Sequence, residues 1–108
     1  MDQRLPRVAE QLLLIERELR VLGLWSSRTP DARALASLEP FCMDTLRFEE
    51  WLQWVFLPRM KVILERDEPL PGASGIGAMA EMVFAERLGS VKGLLTALEV
   101  FDQVISEG

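Results

Sequence analysis

Apolar residues recur at helical spacing along most of the chain, and no segment sustains the alternation of a half-buried strand. Leu5, Val8, Leu12, Ile15, Leu19 and Leu22 step by three and four, forming the seam of an amphipathic helix that Leu13 and Leu14 widen. Arg4, Arg7, Glu10, Arg17, Glu18 and Arg20 fall mostly on the other side, and Glu16 with Arg20 makes a favourable i,i+4 pair. Proline is tolerated only in a helix's first turn, so Pro6 sets the start near Arg4. Gly23 supplies the stop. The spacing predicts a helix over 4–23.

Residues 24–46 are less regular. SSRTPD is loop chemistry, and Pro30-Asp31 can open a short helix over 32–38 that Pro40 ends. A connection of about 20 residues with no structure of its own would be unusual in a small domain. The following segment, FCMDTLRFEEWLQWVFLPRMKVILERDE, is the densest in apolar residues. Asp44 or Thr45 can cap a helix here, and Glu49 and Glu50 suit its N-terminal dipole. Phe48, Trp51, Leu52, Trp54, Val55, Phe56 and Leu57 then cover nearly the whole circumference. Such a helix is central, or has a second face against a partner. Pro58 is expected to kink it, by removing the bond to residue 54 and crowding that carbonyl. Met60, Ile63 and Leu64 continue the pattern.

DEPLPGASG is a firm break. Ser74 is the expected cap of a further helix whose inner stripe is Ile76, Met79, Ala80, Val83 and Phe84. Gly89-Ser90 separates it from a last helix bearing Val91, Leu94, Leu95, Leu98, Phe101 and Ile105. The fold class expected is therefore all-α, a compact single domain over 1–108. Its four main helices lie near 4–23, 46–66, 75–87 and 90–106, with a long, partly helical connection between the first two. Leu12, Ile15, Leu19, Leu52, Val55, Leu95, Leu98 and Phe101 are expected in the core.

Composition then removes chemistries. At 49% hydrophobic residues over 108 positions the chain has material for a core, which argues against disorder. It has no histidine, so the commonest general base and metal ligand are missing, and Ser–His–Asp or Cys–His systems cannot be assembled from it. One cysteine allows no internal disulfide and no Cys-based zinc cluster. Cys42, between Phe41 and Met43, suits a buried, inert thiol. No catalytic residue, metal ligand or cofactor is assigned. The longest apolar runs are too short to span a membrane, and the opening MDQRLPRVAEQ lacks the apolar stretch of a signal peptide. A soluble, cytoplasmic protein is expected.

Charge is unevenly placed. Residues 1–47 carry 7 basic and 7 acidic side chains, whereas residues 48–108 carry 5 and 10, which supplies the whole net charge of −5. Phosphate neutralisation drives nucleic-acid binding, and this excess has the wrong sign for it. A protein partner, by the same reasoning, is expected to be basic.

Two of the three tryptophans lie three apart on one helix, where they can serve a core or a binding surface. In this region PFCMDTLRFEEWLQWVFLPRM, followed by PLPG, resembles the YqcC-like family of small bacterial proteins. EWLQWV with PRM is the specific part, and the likeness in length and helix order extends over essentially the whole chain. It is strongest over residues 40–72. The resemblance implies an all-helical compact fold, and it brings no assigned activity, cofactor or catalytic residue. Members are often encoded near an RNA pseudouridine synthase, which points to a role alongside RNA modification.

Asp44, Glu50, Gln53 and Arg59 sit among apolar neighbours. A structural account has Asp44 capping, Glu50 in the first turns and Arg59 satisfying carbonyls freed by Pro58. The leading functional reading is a non-enzymatic module that binds a protein partner through Trp51–Met60, with a homodimer as the simplest version. At least one of Trp51, Trp54 and Arg59 should then be solvent-accessible. The alternative is a small-ligand or accessory enzyme role, in which Glu50, Gln53 and Arg59 gather in a polar pocket rimmed by Trp51 and Trp54. Asp44, Glu50, Trp51, Gln53, Trp54, Arg59 and Met60 are thus the candidate binding residues.

Overall fold

The computed structural model describes residues 2–72 and 74–107. In chain order it contains α1 (Leu5–Val21), α2 (Ala32–Leu35), α3 (Phe48–Trp51), α4 (Leu57–Glu65), α5 (Ile76–Val83) and α6 (Lys92–Ser106). A π-helical turn, Leu52–Phe56, joins α3 to α4 without a break, and a 3-10 segment, Ala85–Val91, joins α5 to α6. No strand occurs among the described residues, and none of their helices is long and apolar enough to cross a membrane.

Helix α1 carries Pro6 in its first turn and ends where Gly23 turns left-handed at φ 74°. There Leu24 N–H reaches Leu19 O at 2.8 Å and Gly23 N–H reaches Arg20 O at 3.1 Å, the paired bonds of a glycine stop. The connection to α3 is partly helical. Asp31 caps α2 by accepting from Ala34 N–H at 2.8 Å, and α2 stops at Leu35, three residues short of the expected end. Asp44 and Thr45 do not cap the next helix. Asp44 accepts from the Ser37 hydroxyl and Thr45 donates to Ala34 O at 2.7 Å, so both close this connection on itself. The cap position is Arg47, whose N–H is taken by Glu50 Oε1 at 2.8 Å.

Helix α6 is the hub. Leu94, Ala97, Leu98, Phe101, Val104 and Ile105 are all buried. It runs antiparallel to α1. Arg4 donates to Ile105 O at 3.0 Å and Arg7 pairs with Glu107 at 2.6 Å, while at the other end the Glu18 side chain passes over Gly93. Hydrogen bonding from Arg7 holds the Glu107 carboxyl below its ordinary range, and Arg4 holds Asp2 near 2 in the same way.

Helix α5 crosses α6 so closely that a Cβ on Gly77 would meet Glu99 Cγ at 3.0 Å. Its cap is tertiary. Asp102, on α6, accepts from Gly77 N–H at 2.7 Å, from Ile76 N–H at 3.3 Å and from the Ser74 hydroxyl. Ser74, the expected cap, instead orients the carboxylate that does the capping. Helix α5 ends at Val83, not at 87, and the chain tightens into 3-10 geometry until α6 begins at Lys92.

All five phenylalanines join one aromatic network with Trp51. Phe41 meets Trp51 edge-on at 4.9 Å, Trp51 stacks on Phe56 at 5.5 Å, and Phe56 meets Phe101 edge-on at 5.0 Å. Phe48 lies beside Trp51 and Phe84. Of the expected core positions, Leu12, Ile15, Leu19, Leu52, Leu98 and Phe101 are buried, whereas Val55 and Leu95 are only half-buried.

Val55 is displaced by the π turn. At about 100° per residue, an unbroken α-helix would set Phe48, Leu52, Val55 and Arg59 on one stripe. Pro58 has no N–H, and its ring would crowd the Trp54 carbonyl in such a helix. The break expected at Pro58 therefore takes the form of a widened turn just before it, in which Leu57 N–H reaches back five residues to Leu52 O. One extra residue per revolution moves the seam to Phe48, Leu52, Phe56, Leu57 and Met60, all of them buried.

Ile15 and Leu98 are both fully buried, so Ile15→Ala and Leu98→Ala should each lower unfolding free energy by about 2–5 kcal/mol in a denaturant titration. Loss of the tertiary cap in Asp102→Ala should cost about 1 kcal/mol, with hydrogen exchange quickening first at the Ile76 and Gly77 amides.

Candidate functional site

The seam shift sorts the candidate residues into two groups. Met60 lies in the core at 2% exposure and cannot meet a partner in this structure. Trp51 is half-buried within the aromatic network and packs against the core. Gln53, 5% exposed, spends its amide on one loop residue: its Oε1 accepts from Ser26 N–H at 2.8 Å and its Nε2 donates to Ser26 O at 2.7 Å. A buried carboxamide is satisfied only by such a donor and acceptor pair, and this one fixes the loop after α1 against the π turn. Glu50 serves Arg47 N–H, and Asp44 serves Ser37.

The outward group is Trp54 and Arg59, joined there by Val55, Pro58 and Val62. Trp54 and Val55 are half-buried, whereas Pro58, Arg59 and Val62 are exposed. Four-residue steps put Trp54, Pro58 and Val62 on one stripe and Val55 and Arg59 on the next. Arg59 is exposed and, among the described residues, its side chain makes no hydrogen bond, so it is not drawn onto the carbonyls near Pro58. The Trp54 indole Nε1 is buried and likewise has no acceptor among them. A buried donor left unmet costs about 1–3 kcal/mol, so this one calls for an explanation.

Glu50, Gln53 and Arg59 do not converge on a cleft. Glu50 lines a shallow cleft of about 260 Å³ with Trp25, Ser26, Arg47 and Glu49, and neither Gln53 nor Arg59 reaches it. Trp25 is itself covered on one face by the Arg20 guanidinium, 4.5 Å from its ring centre.

Two apolar surfaces escape the pattern of the sequence. One is a groove of about 210 Å³ between α1 and α4, lined by Ala9, Leu12, Leu13 and Leu64 and flanked by the Glu16–Lys61 ion pair at 3.5 Å. Leu13, which the sequence places on a widened inner stripe, is 71% exposed. The other is a smaller cleft between Phe41, Met43, Leu46, Met79 and Val83. Leu13 lies one position off the main seam of α1, whereas Val83, expected on the inner stripe of α5, is exposed and lines the second cleft with Met79.

The family described as tRNA pseudouridine synthase C, DUF446, matches residues 7–104. An uncharacterised protein of Haemophilus influenzae is 40% identical over 86 residues, 80% of each chain. The uncharacterised protein YqcC of Escherichia coli is 37% identical over 101 residues, covering 94% of this chain and 93% of its own. A solution NMR structure of E. coli YqcC superposes with a TM-score of 0.85 over 98% of this chain and 91% of that one, at 35% identity. The tRNA pseudouridine synthase C of Pectobacterium carotovorum is 48% identical over 65 residues, which are 60% of this chain but only 17% of that protein. Matched almost end to end in sequence and in fold, the chain belongs to the YqcC-like family, DUF446.

Proposed function

We propose that this chain is an accessory protein-interaction module of a tRNA pseudouridine synthase and docks on the catalytic chain through the outward face of its Phe48–Glu65 helix. One observation carries the reading: in Pectobacterium carotovorum a segment of this kind is part of a polypeptide named as that synthase, where it accounts for 17% of the length. Joining two units in one chain raises their effective concentration for each other, so the occurrence of this unit both joined to a synthase and separate supports the synthase as its partner. The missing histidine and the single buried thiol suit a helper of the reaction. With a net charge of −5, the module is unsuited to gripping tRNA phosphates, which leaves the enzyme as its contact. Such a role places it in the cytoplasm.

The outward face suits docking because it joins apolar surface at Trp54, Val55, Pro58 and Val62 to one arginine. Tryptophan and arginine are the commonest interface anchors. A π turn inside a helix is frequently functional.

Mixed with the separately encoded synthase of its own organism, the chain should sediment as a heterodimer. If it sediments alone or only as a homodimer, the reading fails. Trp54→Ala should weaken the association by about 2 kcal/mol, measured by titration calorimetry, while the thermal midpoint falls far less than in Leu98→Ala.

A further inference from the structure

We infer that the synthase meets this face with an acidic segment, whose carboxylate pairs with Arg59 and whose neighbouring oxygen accepts from the Trp54 indole. The inference rests on the accessory reading above and specifies the chemistry of its contact. It runs against the charge of the chain as a whole, which by itself would select a basic partner.

The local charge differs from the total. Between Glu50 and Glu65 the helix carries Arg59 and Lys61 and no acidic side chain. Lys61 leans to α1, where Glu16 lies 3.5 Å away. Arg59 is exposed, and among the described residues no carboxylate pairs with it. The acids that end this stretch are committed or distant: Glu50 is bonded to Arg47 N–H, and Glu65 lies six residues beyond Arg59, at the end of α4. At physiological salt, charges more than about 8 Å apart are largely screened, so a docked group feels the arginine beside it more than the ten acids spread over the second half of the chain.

The second observation is independent of charge. Trp54 Nε1 is a donor with no acceptor among the described residues and almost no access to water. The other two rings differ from it, since Trp51 belongs to the aromatic network and Trp25 is stacked under Arg20. Trp54 lies on the adjoining stripe from Arg59, beside Pro58. Meeting an incoming oxygen requires the half-buried ring to turn so that this N–H comes to the surface, a movement that its resonance would report. Exposed Arg59 and the buried Trp54 N–H behind this face are both donors, so the complementary surface must supply acceptors, and a carboxylate is one that a guanidinium binds bidentately. Apolar Val55, Pro58 and Val62 around them would exclude water from the pair, as the rim of an interface does. RNA phosphate is the poorer match, because a polyanion is held by several cations and, within Phe48–Glu65, Arg59 is the one cation uncommitted among the described residues, with Arg66 just past the helix end.

The test uses the full chain and the full-length tRNA pseudouridine synthase C of the same organism, by calorimetric titration. Arg59→Glu should weaken binding at least about tenfold and Arg59→Lys by about threefold or less, since a point charge keeps the pairing but not the fork. Arg59 is exposed, so both variants should keep the wild-type melting midpoint. In parallel, the indole N–H resonance assigned to Trp54 by Trp54→Phe should shift or broaden on titration before those of Trp25 and Trp51. A complex that forms with unchanged affinity in Arg59→Glu and an unmoved Trp54 resonance overturns this inference and leaves the accessory reading standing. No complex with the wild-type chain removes both. Binding of the chain alone to tRNA, abolished by Arg59→Glu, overturns the carboxylate in favour of phosphate.

Discussion

A missing hydrogen atom organises this molecule. Pro58 sits in the middle of its most apolar helix and cannot donate to the carbonyl one turn back. The chain answers with a five-residue turn over Leu52–Phe56, which keeps helical direction and spends one residue more on a revolution. That extra residue rotates everything downstream. It sends Phe56, Leu57 and Met60 inward onto the bundle and leaves Val55 and Arg59 outside. Without it, the arginine would sit on the buried stripe, where an unpaired charge is expensive. Pro58 is thus accommodated in a way that also keeps Arg59 in water.

The remainder of the fold is assembled around α6, whose apolar face is covered by α1, α5 and the α3–α4 helix. Two of these contacts are polar devices as well as apolar packing. Asp102 on α6 terminates α5 from outside that helix, so α5 is completed only when it docks. Arg4 and Arg7 tie the start of α1 to the end of α6, although both pairs are exposed enough to water that registry, more than energy, is what they supply. Gln53 plays the same part for the loop after α1. Its amide matches both polar groups of Ser26, and no carboxylate could, since half of that pairing needs a donor.

The division between core and surface on the central helix carries the functional argument. Trp51 and Trp54 are three residues apart, yet one is held among phenylalanines and the other has a buried donor without an acceptor among the described residues. The outer face of this helix is apolar at Trp54, Val55, Pro58 and Val62 and carries the exposed Arg59.

Much was legible from residue order. The 3.6-residue period of α1 and α6 is a local property, so helix type and most of their core followed from the seams at Ile15, Leu19, Leu98 and Phe101. Gly23 as a stop, Asp31 as a cap and Pro58 as the point of irregularity are also local, because each acts on bonds within a few residues. The family likeness rested on a contiguous stretch and was equally available. Other features lay beyond local reach. Ser74 resembles a cap, but the capping carboxylate is 28 positions away on α6. Glu50, Gln53 and Arg59 look like one polar set, but Ser26 and Arg47 claim two of them. Val55 and Met60 exchanged places because a proline can be met by a kink or by a π turn, and the two differ by a rotation of the seam. Which rotation is taken depends on where Phe101 and Phe84 wait to receive Phe56 and Phe48. The sequence by itself determined that there would be helices and where their irregularity would fall; only tertiary packing decided which way the central helix turned, because burial is a property of neighbours that lie far away along the chain.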